Sequence, residues 1–296
     1  MPAWSIGLMV LCNLAWALNV IVGKLAVDDL AMPPLFFAGL RSAIVVLVLV
    51  PLLVRSIPPR LPAVLAVGLA ISGGSFALLF MGLQTADPAT AGAIGLVGAP
   101  MTVLFAIVFL GETVRWRRAL GMVLAFGGVL LAILSKGAMA ASGGAMLVFV
   151  SALVGALGAV FVKRLDMPAM TLQAWAAVAS TMVLLPLSFA VEQGQVASFA
   201  AAPWALAGCL VFAALVVSIA ATGTYFVLFQ KFEANLVVPL TLLHPLMTIG
   251  LGAWLTNDVV GGRLLLGSGI ALAGVAIIVI RPSETFSRRF LTRPRM

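Results

Sequence analysis

The chain has 296 residues, of which 63% are hydrophobic and 9% are charged, and its mean hydropathy is +1.22. This composition cannot supply the polar surface that a water-soluble globule needs, so the sequence predicts a membrane protein. The net charge of +8 would suggest a nucleic-acid partner in a soluble protein, but the basic residues lie in short connectors and in the C-terminal tail, as in membrane proteins.

Ten apolar segments are long enough to cross a membrane. A helix rises about 1.5 Å per residue, so about 20 apolar residues span a hydrocarbon core about 30 Å thick. In chain order the segments cover residues 4–22, 35–54, 63–83, 89–110, 118–134, 144–162, 170–191, 204–229, 235–255 and 262–280. The first segment has no basic flank before it, so we expect it to be retained and not removed as a signal peptide. The sequence therefore predicts an all-α protein with ten transmembrane helices.

The basic residues also predict the orientation, because short loops rich in Lys and Arg stay on the cytoplasmic side. If the N-terminus is cytoplasmic, 13 of the 17 basic residues fall on that side. Lys24, Lys136 and Arg263 fall on the other side, and Arg41 lies within the second segment. We therefore expect a multi-pass protein of the cell (inner) membrane with both termini, including the basic tail 282–296, in the cytoplasm.

A pattern in segments four and five recurs in segments nine and ten. In each copy a proline precedes an acidic connector residue, a glycine follows nine residues later, and a Gly-Val pair comes seven residues further on. The residues are Pro100, Glu112, Gly121 and Gly128 in the first copy, and Pro245, Asp258, Gly267 and Gly274 in the second. Five segments per half is an odd number, so the second half enters the membrane from the opposite side. The pattern predicts two inverted five-helix repeats, residues 1–135 and 144–281.

At these residues the chain resembles the ten-helix EamA branch of the drug/metabolite transporter superfamily. The resemblance is carried by ALNVIVGK in the first segment, by FFAGLRSAIVVLVLVPLL in the second, and by the proline, Gly-Glu and Gly-Val pattern after Pro100. The second copy differs, because TND stands at Asp258 where the family pattern has Gly-Glu. The chain is similar in particular to exporters of aromatic and other neutral amino acids. That resemblance implies export of amino acids such as Phe, Trp, Met and Thr, or of related metabolites, by alternating access through a central cavity.

The only histidine, His244, lies before Pro245 inside an apolar segment. An unpaired or charged ring is costly there, so we expect a neutral ring that faces a wet cavity or a neighbouring helix. One interpretation is a histidine that bonds to another helix beside a proline kink. The other is a substrate site, since Pro245 frees a backbone carbonyl near Thr241. Pro100 would act in the same way in the symmetric helix, with Thr102 beside it.

The first segment carries Asn13, Trp16 and Asn19, which fall along one side of a helix. These side chains either line a cavity and contact an aromatic or thioether substrate, or join helices by hydrogen bonds. Further candidates are Gly73, Gly74, Ser75 and Phe76 in segment three, and Thr222 and Tyr225 in segment eight. Gly73 and Gly74 either allow close helix packing or act, together with Pro100 and Pro245, as flexing elements. Tyr225 is either a cavity residue or part of an interfacial aromatic belt.

Arg41 is the only basic residue well inside a segment, where a charge costs about 2.5 to 3.5 kcal/mol on translocon scales. It either pairs near the interface with Asp28, Asp29 or lipid, or it receives the carboxylate of an amino-acid substrate.

The chemistry that is missing from the segments narrows the function. Acidic residues lie outside the central third of every predicted segment, which argues against a carboxylate proton relay and favours an uncoupled carrier. Cys12 and Cys209 lack metal-ligand spacing, and no nucleophile–base pair accompanies the one histidine. We therefore expect no catalytic residues, no metal and no cofactor.

The expected partners are a small-molecule substrate and membrane lipid, without nucleic acid, and a monomer is compatible with the pattern. An exporter of other small drug-like metabolites, or a channel-like protein without alternating access, remains an alternative.

Overall fold

The structure is a computed structural model that describes residues 2–55, 57–111, 116–134, 143–162, 164–165, 167–232 and 237–279. Within these ranges the regular elements are all helices. We label ten of them: α1 Ala3–Asp29, α2 Pro34–Arg55, α3 Leu61–Leu83, α4 Pro88–Leu110, α5 Trp116–Leu134, α6 Gly143–Val162, α7 Ala169–Val191, α8 203–231, α9 238–255 and α10 Gly262–Val279. A short helix, Gln195–Ala201, lies between α7 and α8, where the sequence analysis predicted only a connector.

Seven of these helices, α1 to α4 and α6 to α8, are long and apolar enough to cross a membrane. The apolar parts of the other three are shorter in the part of the chain that the structure describes. They are Ala119–Ala132 in α5, Leu240–Leu255 in α9 and Gly262–Ile278 in α10. All three lie where the sequence predicts its fifth, ninth and tenth segments. The protein is therefore an all-helical, multi-pass membrane protein.

The two repeat prolines each adjoin an interruption of α-helical geometry. In α4 the helix is broken at Leu96 and Val97, between Pro88–Gly95 and Gly98–Leu110. Pro100 has no N–H for the carbonyl of Leu96, which accounts for a break at this place. In α9 the residues before Pro245 form a 3-10 helix, Val238–Leu242, and the α-helix begins at Leu243.

Three further helices contain π-helical segments, which recur at functional sites in many proteins. They are Leu25–Asp29 at the end of α1, Leu69–Gly74 in α3, which includes Gly73 and Gly74, and Phe212–Ala221 in α8. The predicted flexing elements of α3 therefore coincide with irregular backbone.

Helix packing is reciprocal between the first five helices and the last five. Three helices pack on the helix five positions later: α2 on α7, α4 on α9 and α5 on α10. Other contacts recur when each helix is replaced by the helix five positions away in the chain. The contact of α1 with α9 corresponds to the contact of α6 with α4, and the contact of α1 with α8 corresponds to the contact of α6 with α3.

The contact between α5 and α10 depends on glycines. Gly121 lies against Gly274, and Gly128 lies against Gly267 and Ala271. A Cβ on any of the four glycines would collide with backbone of the partner helix, so only glycine permits this approach. Because the earlier glycine of α5 meets the later glycine of α10, the two helices run antiparallel.

Candidate functional site

Two adjoining cavities lie inside the helix bundle and share Gly95 of α4 and His244 of α9. The larger, about 310 Å³, is lined by α1, α3, α4, α6 and α9, and the smaller, about 210 Å³, also reaches α10. The larger volume falls within the range of about 300 to 1,000 Å³ that is usual for small-molecule sites. We call the two together the central cavity.

Uncharged polar groups and apolar side chains line the central cavity. The hydroxyl-bearing residues are Thr102, Ser151, Thr241 and Thr248, and the aromatic and imidazole rings are those of Trp16 and His244. Among the described lining residues, none is Asp, Glu, Lys or Arg. Such a lining suits a neutral or zwitterionic solute with an apolar side chain and disfavours a polyanion.

Glycines on α4, which have no side chain, account for part of the volume of the central cavity. Apart from the chain neighbours and nearby backbone of the same helix, no heavy atom of the described residues lies within 4 Å of a Cβ added to Gly95 or Gly98. Gly92, one turn earlier, is different, because a Cβ there would meet Thr248 and the carbonyl of Pro245. Gly92 therefore allows α4 to pack against α9, while Gly95 and Gly98 leave space for a solute. None of the three is among the predicted site residues, although the spacing GAIGLVG places them on one side of a helix.

Trp16 joins three helices at one wall of the central cavity. Its ring meets the rings of Tyr225 and His244 edge to face, with centroids 5.4 and 6.3 Å apart. Its indole Nε1 donates to the Thr222 hydroxyl at 3.4 Å, and that hydroxyl donates to the carbonyl of Val217. The structure thus brings four predicted site residues together, with Trp16 and His244 on the cavity and Thr222 and Tyr225 behind the indole.

His244 occupies the junction of the two cavities and is half-buried. Its own carbonyl accepts the hydroxyl of Thr248 at 2.9 Å, and the Thr102 hydroxyl binds the carbonyl of Gly98 in the same way on α4. These hydroxyls lie just after Pro245 and Pro100, beside the irregular backbone. Both hydroxyls line the larger cavity, and Thr241, beside which a freed carbonyl is expected, lines the smaller one.

Four other predicted residues lie away from the cavity lining. The Asn13 amide is fully buried and donates to the carbonyl of Met9 on its own helix at 2.7 Å. Asn19 is also buried, and neither amide oxygen has a hydrogen-bond donor among the described residues. Ser75 exchanges hydrogen bonds with Ser151, which ties α3 to α6. Phe76 is the fourth, and it packs on Arg41.

Arg41 is 5% exposed and is held by α8 and α3. Its Nε and Nη2 donate to the Ser218 hydroxyl at 3.1 and 2.9 Å, and Nε also donates to the carbonyl of Ala213. Both acceptors belong to the π-helical segment of α8. The guanidinium carbon lies 3.7 Å from the centre of the Phe76 ring. This differs from the expected pairing near the interface, since Asp28 pairs with Lys24 at 2.6 Å.

Carboxylates of two connectors hold the first turns of distant helices. Asp258 accepts the N–H of Ala89 in the first turn of α4 at 2.8 Å and the hydroxyl of Thr256 at 2.7 Å. Glu192 accepts N–H groups of the first turn of α2 in the same way. Negative charge at a helix N-terminus is stabilising. Glu112, the counterpart of Asp258 in the sequence repeat, lies outside the described residues.

These features define a multi-helix membrane protein with an uncharged cavity among its described helices. Residues 3–134 and residues 142–280 each match the EamA-like transporter family. The chain belongs to this family, as the sequence analysis predicted.

Known proteins similar to this chain are consistent with that assignment. One relative from Salmonella typhimurium is 30% identical over 284 residues, which covers 92% of this chain and 93% of the relative. A relative from Escherichia coli is 29% identical over 284 residues with the same coverage. Both carry the name "Probable amino-acid metabolite efflux pump". A crystal structure that is 16% identical superposes with a TM-score of 0.59, covering 99% of this chain and 100% of that chain, and this likeness concerns the fold alone.

Proposed function

We propose that this protein exports amino acids, namely aromatic and other neutral ones such as Phe, Trp, Met and Thr, or related small metabolites, across the cell membrane. The observation that carries the proposal is the uncharged central cavity, with Trp16 and His244 on its wall and hydroxyls nearby. An aromatic or thioether side chain would contact the rings, while the hydroxyls and freed carbonyls would bind polar groups. The names of the two bacterial relatives support the same substrate class.

The proposed architecture has ten membrane-spanning helices in two inverted repeats, residues 1–135 and 144–281. Two separate family matches, the reciprocal helix contacts and the antiparallel packing of α5 on α10 support it. The distribution of basic residues supports cytoplasmic termini. The tail 282–296 lies outside the described residues.

The proposed mechanism is alternating access, in which one half rocks against the other and exposes the central cavity to each side in turn. The irregular backbone at Pro100 and Pro245, and the π-helical segment that holds Gly73 and Gly74, would absorb the movement. The described cavity lining has no acidic side chain, which favours an uncoupled carrier over a carboxylate-based proton exchanger.

Transport by purified protein in liposomes tests the proposal. We expect saturable movement of radiolabelled phenylalanine and methionine, with competition by other neutral amino acids. Flux that rises linearly with concentration would indicate a channel instead. If neutral amino acids neither move nor compete, while other small metabolites do, the amino-acid assignment is wrong and the alternative carrier function stands.

A further inference from the structure

Helices α2 and α7 begin in the same way. Each follows a Met-Pro pair, Met32-Pro33 before α2 and Met167-Pro168 before α7. In each, the proline carbonyl accepts the first backbone hydrogen bond of the helix, from Phe37 at 2.9 Å and from Leu172 at 3.0 Å. Both helices also contain a proline at the same distance from the start, Pro51 and Pro186. The two helix starts can therefore be compared residue by residue.

The first turn of α2 is built around an anion. The N–H groups of Leu35 and Phe36 donate to the two carboxylate oxygens of Glu192 at 2.9 and 3.1 Å. The Ser188 hydroxyl donates to the same carboxylate at 2.6 Å. Free N–H groups and the positive end of the helix dipole make a helix N-terminus a binding site for negative charge.

The first turn of α7 offers the same N–H groups but has no carboxylate from the described residues. Met170 and Thr171 occupy the positions of Leu35 and Phe36, and no described side chain accepts their N–H groups. The residue that corresponds to Glu192 is Ile57, which cannot accept a hydrogen bond.

A cavity of about 430 Å³ opens at this place, and two arginines, Arg60 and Arg164, line it together with Ile57 and Thr171. Thr171 is only 9% exposed, and its hydroxyl has no hydrogen-bond partner among the described residues. Arg60 and Arg164 are both exposed, and Arg164 donates through Nη2 to the carbonyl of Phe109 at 2.6 Å. No acidic residue occurs among the described lining residues. The cavity thus combines two cations, a buried hydroxyl and a helix N-terminus.

We propose that this cavity binds the phosphate of an anionic phospholipid in the cytoplasmic leaflet. The phosphate would take the place that the Glu192 carboxylate has on α2, and apolar lining residues such as Val64, Leu165 and Met167 would contact the lipid's glycerol and acyl portions. The choice of lipid rests on the membrane orientation in the proposed function, which puts these basic connectors at the cytoplasmic surface. Because the cavity lies between the α2–α3 and α6–α7 connectors, a bound lipid would join the two halves.

The test uses the purified full chain in a neutral detergent, with thermal unfolding and native mass spectrometry as readouts. Phosphatidylglycerol should raise the melting temperature by several degrees and remain bound as a one-to-one adduct, because a ligand that binds only the folded state stabilises it. Phosphatidylcholine should do neither. If inorganic phosphate stabilises the protein as much as phosphatidylglycerol does, the cavity takes a free anion and the lipid assignment is wrong. If neither anion has an effect, the anion site itself is refuted.

One substitution supplies the missing carboxylate. Ile57→Glu should raise the melting temperature of the lipid-free protein and abolish the shift caused by phosphatidylglycerol, because an internal anion then occupies the site. Ile57→Gln, of similar size but neutral, is the matched control and should not raise the lipid-free melting temperature. A full phosphatidylglycerol shift in Ile57→Glu would overturn the proposal.

Two further variants keep the test decisive. Arg60→Gln combined with Thr171→Val should weaken phosphatidylglycerol binding about tenfold, which is the loss expected for one charge-assisted hydrogen bond. Unchanged affinity in this double variant would contradict the proposal.

Asp166 precedes the helix in sequence and lies outside the described residues. Asp166→Asn should leave lipid binding intact, and if only that variant binds lipid, Asp166 fills the site and the proposal is wrong. None of these measurements involves transport, so they fail or succeed independently of the exporter function.

Discussion

At the scale of single residues, His244 is where substrate recognition and helix packing are hardest to separate. The ring is half-buried, borders both parts of the central cavity and meets Trp16 edge to face. We predict that His244→Ala raises the KM for transported amino acids about tenfold, as expected for a lost hydrogen bond and ring contact. The melting temperature should change little, because the ring faces an existing cavity.

Met247 provides the control for this prediction. It lies on the same helix, is also half-buried and is not among the residues that line the central cavity. Met247→Ala should leave the KM unchanged in the same liposome assay. A wild-type KM in His244→Ala would show that the histidine serves packing only.

Arg41 illustrates what a single sequence can predict about one residue. Its unusual position is visible at once, because no other basic residue lies so far inside a predicted segment. Its partners could not be predicted, since Phe76 and Ser218 belong to other helices and bonding to Ser218 depends on a π-helical segment. The same reason explains Asn13, whose amide bonds to its own helix, a choice that helical periodicity does not determine.

At the scale of helices, the position of Gly95 on α4 leads to a prediction about the central cavity. Gly95 borders both parts of it, and a Cβ added there meets no atom of another described helix within 4 Å. We predict that Gly95→Leu lowers the rate of amino-acid transport at least about tenfold without lowering the melting temperature, because leucine favours helix over glycine. Gly7→Leu on α1 is the control, since Gly7 also has open space around it but lies outside the cavity. Equal rates in the two variants would mean that Gly95 does not border the transport path.

The contact of α5 with α10 makes a second prediction at this scale. Gly128 and Gly127 are neighbours in the chain, but only Gly128 faces α10. A Cβ on Gly128 would collide with the backbone of Ala271, whereas a Cβ on Gly127 meets nothing within 4 Å among the described residues. We predict that Gly128→Leu lowers stability by about 3 kcal/mol or more, because packed backbones have to separate. Gly127→Leu should be tolerated. Thermal unfolding and the yield of monodisperse protein measure both, and similar losses in the two variants would contradict the helix contact.

The helices themselves were largely predictable, and the reason is physical. Length and hydropathy constrain each transmembrane segment strongly, so most of the described helices begin and end within a few residues of the predicted segments. The exception is α1, which continues past the predicted end at residue 22 to Asp29. The short helix Gln195–Ala201 escaped notice because a seven-residue helix leaves little periodicity. The role of Gly95 could not be recognised, since it consists in an absent side chain opposite helices that are distant in sequence. Pro100 and Pro245 could be recognised, because a proline disturbs its own helix.

At the scale of the whole molecule, the proposed inverted repeat leads to a prediction about two equivalent connectors. Arg115 follows the fourth segment and Arg263 follows the ninth, so an inverted repeat puts them on opposite faces of the membrane. Arg115→Cys and Arg263→Cys would each be introduced into a chain from which the two buried cysteines, Cys12 and Cys209, have been replaced by alanine.

A membrane-impermeant maleimide applied to intact cells should label the cysteine at position 263, because the positive-inside distribution puts that connector outside the cytoplasm. The cysteine at position 115 should react only after the membrane is opened. Arg60→Cys should behave like Arg115→Cys, since position 60 belongs to a connector on the same proposed side. If positions 115 and 263 react from one face, the halves are parallel, and rocking of inverted repeats cannot be the transport mechanism. If the cysteines at positions 60 and 115 react in intact cells and the one at position 263 reacts only after the membrane is opened, the repeat stands. Only the assignment of the cytoplasmic side is then wrong.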